Sequence, residues 1–271
     1  MAWHCSGLTN AQLVENMWRN GLITDKRAKE AFLKVVDLAR LACNSFGYPF
    51  TILASKAYNY YQVDRVHYAP ASAYEDSPQP IGHQATISAP HMHAMAIENV
   101  ISYLVPSETN PAPRVLDIGS GSGYLTHLLA ELVGNRGLVV GLEHIAALQQ
   151  LGETNMRKTG EGKKLLESGK VKFRLGDGRL GFEEPARNGE EEYGTAWDVI
   201  HVGACAKELH GKLIEQLKAP GCVFIPIEDY ESGHLQSVWR ITKDKNGKIT
   251  KKNICGVQYV KLTEAPIEQS G

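Results

Sequence analysis

The chain has almost no net charge, no long apolar run and no paired cysteines, and each shortage excludes a class of function. Across 271 residues, 29 Lys and Arg stand against 30 Asp and Glu. No broad surface of one sign is therefore expected to track nucleic acid. No window approaches the ~18 uncharged apolar residues of a membrane span, and Met1 to Ser6 lacks the apolar stretch of a secretory signal. Cys5, Cys43, Cys205, Cys222 and Cys255 form no C-x-x-C pair, and an odd number does not suit a secreted disulfide framework. A soluble, cytoplasmic protein is expected. His91 and His93 come nearest to a metal cluster, but residues two apart on a helix face different ways, and H-E-x-x-H is missing, so no metal is expected. Repeats and low-complexity tracts are absent too; Glu190 to Glu192 and Lys243 to Lys252 read as a solvated loop and a hairpin tip.

What is present is a globular composition, 43% hydrophobic and 22% charged, long enough for a real core. Thr9 to Asn20 spaces Leu13, Val14 and Met17 as a short amphipathic helix that stops at Gly21. A second helical pattern opens after Thr24 and runs to Ala42, and an aromatic-rich stretch without a clear period covers Tyr48 to Tyr61. From Arg114 the pattern becomes strand, turn, helix. Strands are predicted at Val115–Gly119, Leu138–Leu142, Val171–Leu175, Trp197–Val202 and Cys222–Ile227, with helices over Tyr124–Val133, Ala146–Lys158 and Glu208–Leu217. Such alternation predicts an α/β fold with a doubly wound, mostly parallel sheet. Gln236–Thr242 and Lys251–Lys261 flank Asn246-Gly247, which adds a C-terminal antiparallel hairpin.

The strongest local motif is Asp117-Ile118-Gly119-Ser120-Gly121-Ser122-Gly123 between a strand and a helix, where glycines let the backbone approach a ligand. It is not the dinucleotide fingerprint, which needs glycine where this chain has Tyr124, nor a P-loop, which needs a Gly-Lys-Ser/Thr ending. It resembles the first motif of the class I methyltransferases, a Rossmann-like fold that binds S-adenosylmethionine. Glu143 ends the second strand, 24 residues after Gly119, where a carboxylate can hold ribose hydroxyls. Asp177-Gly178 at the end of the third strand offers an acceptor for an exocyclic amine and room for a flat ring. Each alone could be an ordinary strand end or turn; three at successive strand ends make a cofactor site.

Upstream, Asp76-Ser77-Pro78-Gln79-Pro80-Ile81-Gly82-His83-Gln84-Ala85-Thr86-Ile87-Ser88-Ala89-Pro90-His91-Met92-His93 makes a rigid approach, through two prolines and a glycine, to a helix with Met95, Ile97, Val100, Ile101 and Leu104 inward. Pro90 suits a first helical turn. Ser88 then has two readings of equal weight from chemistry alone, an N-cap or an active-site hydroxyl.

Gly82 to His93, the glycine turn, Gly176-Asp177-Gly178-Arg179, Asp198 to Ala204 and Val257 to Thr263 together resemble the protein-L-isoaspartate (D-aspartate) O-methyltransferases over nearly the whole chain. The A-T-I-S-A-P-H-M-H-A string is more specific than the glycine turn. The resemblance implies that Ser88 is catalytic and that Ala89, Pro90, His91, Met92, Asp117, Gly119, Gly121, Glu143, His144, Asp177 and Gly178 line the site of S-adenosyl-L-methionine, with Thr263 closing over it. It further implies methyl esterification of the free α-carboxylate of L-isoaspartyl residues in damaged proteins and peptides, with D-aspartyl residues as a further candidate substrate and S-adenosyl-L-homocysteine as product. The chain is expected to act as a monomer, without nucleic acid or membrane. Alternatives are a class I methyltransferase with another substrate and a catalytically silent cofactor-binding adaptor.

One methyltransferase domain is expected over residues 1–271, with an N-terminal helical cover at 1–75. Within that cover, residues 36–62 are extra relative to the family: joining Val35 to Val63 restores the usual spacing before Asp64-Arg65. The segment opens on Val, whose codons begin GT, and closes on Gln, which can be encoded CAG. It reads as a retained in-frame intron or as a lineage-specific lid.

Overall fold

The computed structural model describes residues 5–33, 63–69, 71–185, 196–230 and 235–263. The segment 36–62, the second half of the predicted second helix and the acidic run at 190–192 lie outside the described residues. Two helices open the chain, α1 (Asn10–Arg19) and α2 (Lys26–Leu33). Thr9 caps α1 by accepting from the Gln12 N–H, and Leu13, Val14 and Met17 turn inward. Phe32 and Val63, which flank the undescribed segment, are both buried in one core.

A small antiparallel pair follows, β1 (Gln79–Gly82) and β2 (Ala85–Ile87). The prolines around it conceal these strands in the sequence. His83 and Gln84 turn between them at φ +50° and +59°, a conformation non-glycine residues rarely adopt. Then come α3 (Pro90–Leu104), β3 (Arg114–Ile118), α4 (Tyr124–Leu132), β4 (Leu138–Glu143), α5 (Ala146–Met156), α6 (Gly160–Glu167) and β5 (Val171–Leu175). The rest is β6 (Trp197–Val202), α7 (Gly211–Glu215), β7 (Leu217–Glu228), β8 (Gln236–Lys243) and β9 (Ile249–Gly256).

The seven-stranded sheet has the order β5-β4-β3-β6-β7-β8-β9. β5, β4, β3, β6 and β7 are parallel; β8 and β9 pair antiparallel at the edge. β3, β4 and β6 are buried along their whole length, as expected of parallel strands covered on both faces. Side chains alternate between the layers: Val115 and Val139 join the core under α3 and α4, whereas Leu116, Ile118, Val140 and Leu142 join the core of the opposite face. The predicted α/β class and the C-terminal hairpin are therefore both observed.

Several boundaries differ from the sequence reading. Glu208–Leu217 yields only the short α7, and β7 begins at Leu217 with an irregular register before Cys222. α6 was not expected, because Gly160 and Gly162 weaken a helical reading; Thr159 caps it by accepting from the Gly162 N–H. β9 ends at Gly256 rather than Lys261. The residues beyond it leave the sheet edge and cross the carboxyl end of β6, where the Cys205 N–H donates to the Val260 carbonyl at 2.7 Å and the Leu262 N–H to the Cys205 carbonyl at 2.7 Å. That crossing sets a roof over the site.

Candidate active site

The chain leaves β3 in one direction to build β4 and β5 and returns on its other side as β6. A crevice opens at the carboxyl ends of strands where the order reverses in this way. Here it is a cavity of about 550 Å3, walled by Gly119, Glu143, Gly178, Gly203 and Thr263 among others.

Its floor is the glycine turn. Gly119 and Ser120 donate their N–H groups to the Leu142 carbonyl, at 2.8 and 3.2 Å, which pins the turn against β4. Gly123 sits at φ +83°, and a Cβ there would lie 2.9 Å from the Gly152 carbonyl oxygen, so both backbone angle and space require glycine. On the far wall, a Cβ on Gly178 would meet the Cγ2 of buried Ile118 at 2.1 Å.

Glu143 reaches the end of β4 with its carboxylate held from several sides. One oxygen accepts from the N–H groups of His144 (2.8 Å) and Ile145 (3.2 Å), the other from Gly121 (3.0 Å). The oxygen that accepts only from Gly121 keeps a lone pair for a ligand hydroxyl. Gly119, Gly121, Glu143, His144, Gly178 and Thr263 all line this cavity. The space, the bare backbone of the turn and the oriented carboxylate suit an adenosyl ligand carrying a vicinal diol.

Six of the expected residues stand differently: Ala89, His91 and Met92 line a second cavity instead, Pro90 lines neither, and the two aspartates are engaged elsewhere. Asp117 is enclosed below the turn: one oxygen accepts from Thr126 Oγ1 at 2.6 Å, and the other lies 2.8 Å from His201 Nδ1. It ties β3 to α4 and β6 and does not line the cavity. The Asp177 carboxylate is gripped by the Arg179 guanidinium at 2.6 Å, which holds its pKa below the usual range. Its neighbour Gly178, rather than its own side chain, forms the wall.

Ser88 and Ala89, His91 and Met92 line a second cavity of about 240 Å3. Pro90 is buried as the first residue of α3. The two readings of Ser88 separate here. The N-cap of α3 is Ala89, with no side-chain cap bond, and Ser88 does not cap the helix. It instead lines the small cavity together with Tyr259, whose phenol pKa burial pushes up. Behind Ser88, the fully buried Arg65 donates to the Ser88 carbonyl at 2.8 Å. Its guanidinium also lies 5.3 Å from the centre of the Tyr124 ring. Burial pushes the Arg65 pKa down to about 10.

The two cavities share a wall. Thr86, Gly203 and Val260 line both. Asp76, Ile81 and Thr86 lie in the unusual upstream segment, and Tyr259 and Val260 in the C-terminal string, but sequence reasoning assigned none of them, nor Gly203, a role in the site. Gly203 lay inside a recognised string, and its place at the end of β6, beside β3, was the available signal. Among the described residues, no group of His, Cys, Asp and Glu could hold a metal, and no helix is long and apolar enough to cross a membrane.

Comparison with known proteins agrees with this geometry. The profile of Protein-L-isoaspartate(D-aspartate) O-methyltransferase (PCMT) matches residues 51–266. A Protein-L-isoaspartate O-methyltransferase of Caenorhabditis elegans is 38% identical over 263 residues, spanning 97% of this chain and 96% of the relative. Protein-L-isoaspartate O-methyltransferase 1 of Arabidopsis thaliana is 33% identical over 270 residues, 99% and 98% of the two chains. Among solved structures, a Plasmodium falciparum protein described as a protein-L-isoaspartate O-methyltransferase, in complex with S-adenosyl-L-homocysteine, superposes with a TM-score of 0.73 at 29% identity, covering 95% of this chain and 100% of that one. A strand-order reversal that opens on a glycine turn and an oriented glutamate, with a serine-lined cavity against it, thus comes with a full-length likeness: the chain belongs to the protein-L-isoaspartate (D-aspartate) O-methyltransferase family.

Proposed function

We propose that the larger cavity takes S-adenosyl-L-methionine and the smaller one the α-carboxylate of an isoaspartyl residue, so that the protein methyl-esterifies damaged proteins and peptides. The observation that carries this reading is the wall shared at Thr86, Gly203 and Val260: a group held in one cavity can be handed to an atom held in the other. Glu143, with its carboxylate fixed by three N–H groups, holds the ribose hydroxyls, and the turn from Gly119 to Gly123 carries the rest of the ligand on its backbone. When bound, the cofactor supplies an electrophilic methyl group on a sulfonium.

The isoaspartyl carboxylate is already an anionic nucleophile, so no general base is required. Ser88 orients it by donating a hydrogen bond. Fixed orientation and exclusion of water supply the acceleration. One carboxylate oxygen forms the bond to the methyl carbon as the carbon–sulfur bond breaks, the electron pair staying on sulfur, so both formal charges vanish. The ester then makes methanol a competent leaving group. The following backbone nitrogen attacks the ester carbonyl, methanol leaves, and the resulting succinimide reopens in part as normal aspartate. Incubation of protein, cofactor and an isoaspartyl peptide should release methanol, while the matching aspartyl peptide should release none; equal release from both would sink the reading.

The described residues work as one methyltransferase domain, acting in the cytoplasm as a monomer, and residues 36–62 are a retained in-frame intron. The burial of Phe32 and Val63 in a common core supports closure of the fold across that segment. Mature transcripts that all retain the corresponding coding stretch would contradict the intron.

A further inference from the structure

Every helix start leaves N–H groups unpaired unless something caps them, and α3 is capped from a distance. Asp76, in the loop before β1, has a fully buried side chain. Its Oδ1 accepts from the His91 backbone N–H at 3.0 Å and lies 2.8 Å from His91 Nδ1. An ionised carboxylate only accepts, so Nδ1 carries a proton and the ring's Nε2 edge is the one left to the small cavity that Ser88 also lines. Asp76 thereby supplies the cap that leaves the Ser88 hydroxyl free, and it fixes the imidazole beside it. The N-terminal segment braces the loop: the Asp76 N–H donates to Ser6 Oγ at 3.0 Å, and the Gly7 N–H to the Tyr74 carbonyl at 2.9 Å.

His91 lines only the smaller cavity, not the one assigned to the cofactor. From this we infer that His91 is a second anchor for the carboxylate to be methylated, donating from Nε2 while Ser88 donates from its hydroxyl, and that Asp76 is the positioning residue for both. This rests on the methyltransferase reading above. The titratable groups about the pair are Asp76 itself, Arg65 and His93 behind it, Cys5 beside Asp76, and Tyr259 across the cavity. A two-point donor set selects a free carboxylate over the amide of an ordinary peptide link, because an amide N–H would face two donors.

The test uses His91→Asn and Asp76→Asn in the full chain. Asparagine in place of His91 keeps a donor near Nδ1 for Asp76 but removes the Nε2 edge. We expect the KM for an isoaspartyl peptide to rise about tenfold or more, as for loss of a hydrogen bond to a charged group. Affinity for S-adenosyl-L-homocysteine by calorimetry should stay within about twofold and kcat should fall less than KM rises. Asp76→Asn, which loosens the ring, should raise KM in the same direction but less, and His91→Gln, which restores a donor near Nε2, should recover part of the loss. Weaker cofactor binding that accounts for the KM change would place His91 in the cofactor site and overturn the inference. So would an unchanged KM in His91→Asn. Wild-type protein inactive on the isoaspartyl peptide would overturn the underlying reading as well, so the two failures are distinguishable.

Discussion

The two cavities are built by opposite means. The larger is made of backbone: a turn whose glycines adopt left-handed angles, N–H groups aimed at Glu143, and a bare wall at Gly178. The smaller is lined by side chains brought from afar, Ser88 ahead of α3, His91 on it and Tyr259 from beyond β9, and is backed by Asp76 from the loop before β1 and by buried Arg65. A backbone-built pocket binds one invariant ligand with little freedom to vary. A pocket of side chains around one small void recognises a single functional group and leaves the rest of a varied partner outside. The division matches an enzyme with a fixed cofactor and many damaged substrates.

Each side of that division should break without the other. The largest effect belongs to Ser88→Ala, which should lower kcat about 100-fold, the cost of a misaligned reacting group. Its affinity for S-adenosyl-L-homocysteine by calorimetry should remain within about twofold, and a parallel loss of affinity would mean that the two cavities are not separate. Glu143→Ala is the converse. Removing a charge-assisted acceptor costs about 1.5–3 kcal/mol, or roughly 10- to 100-fold in cofactor affinity. At saturating cofactor the KM for the isoaspartyl peptide should be nearly unchanged; a large rise would show that Glu143 also shapes the substrate side.

The same contrast explains what could be read from the sequence. The glycine turn and Glu143 are local signals, because a strand, a turn and a helix must be adjacent in sequence to form that geometry. The parallel strands β3, β4 and β6 were legible because burial on both faces makes them largely apolar runs, and β5 because Val171 and Phe173 alternate with Lys172 and Arg174. Asp76 and Tyr259 carry no such signal: each matters only through a partner that the fold brings near, and Tyr259 reads as the end of a strand until the chain turns off the sheet after Gly256. Asp117 shows the reverse case. Its place in the motif suggested a ligand contact, yet its oxygens are taken by Thr126 and His201. The ambiguity of Ser88 could not be resolved locally, since the cap that frees it sits on Asp76, before both short strands.

The smallest effect concerns the support of the side-chain cavity. His93 follows His91 on α3 but turns into the core, its Nδ1 3.5 Å from an Arg65 nitrogen and its ring tilted against Tyr124 at 5.3 Å. Burial, and then the Arg65 charge, hold its pKa well below the ordinary value of 6.5. In the folded protein this imidazole therefore stays neutral where the unfolded chain would protonate it. Stability from this group is fully present above pH 6.5 and is lost as the pH falls toward the folded pKa, by at most about 1.4 kcal/mol per pH unit. His93→Gln removes that titration. Its urea-denaturation stability, measured at pH 7.5 and pH 5.5, should therefore fall less between the two than that of the wild type. An identical fall in both would mean that His93 is protonated in the folded state, and that the Ser88 cavity rests on a charged pair rather than on a buried arginine beside a neutral imidazole.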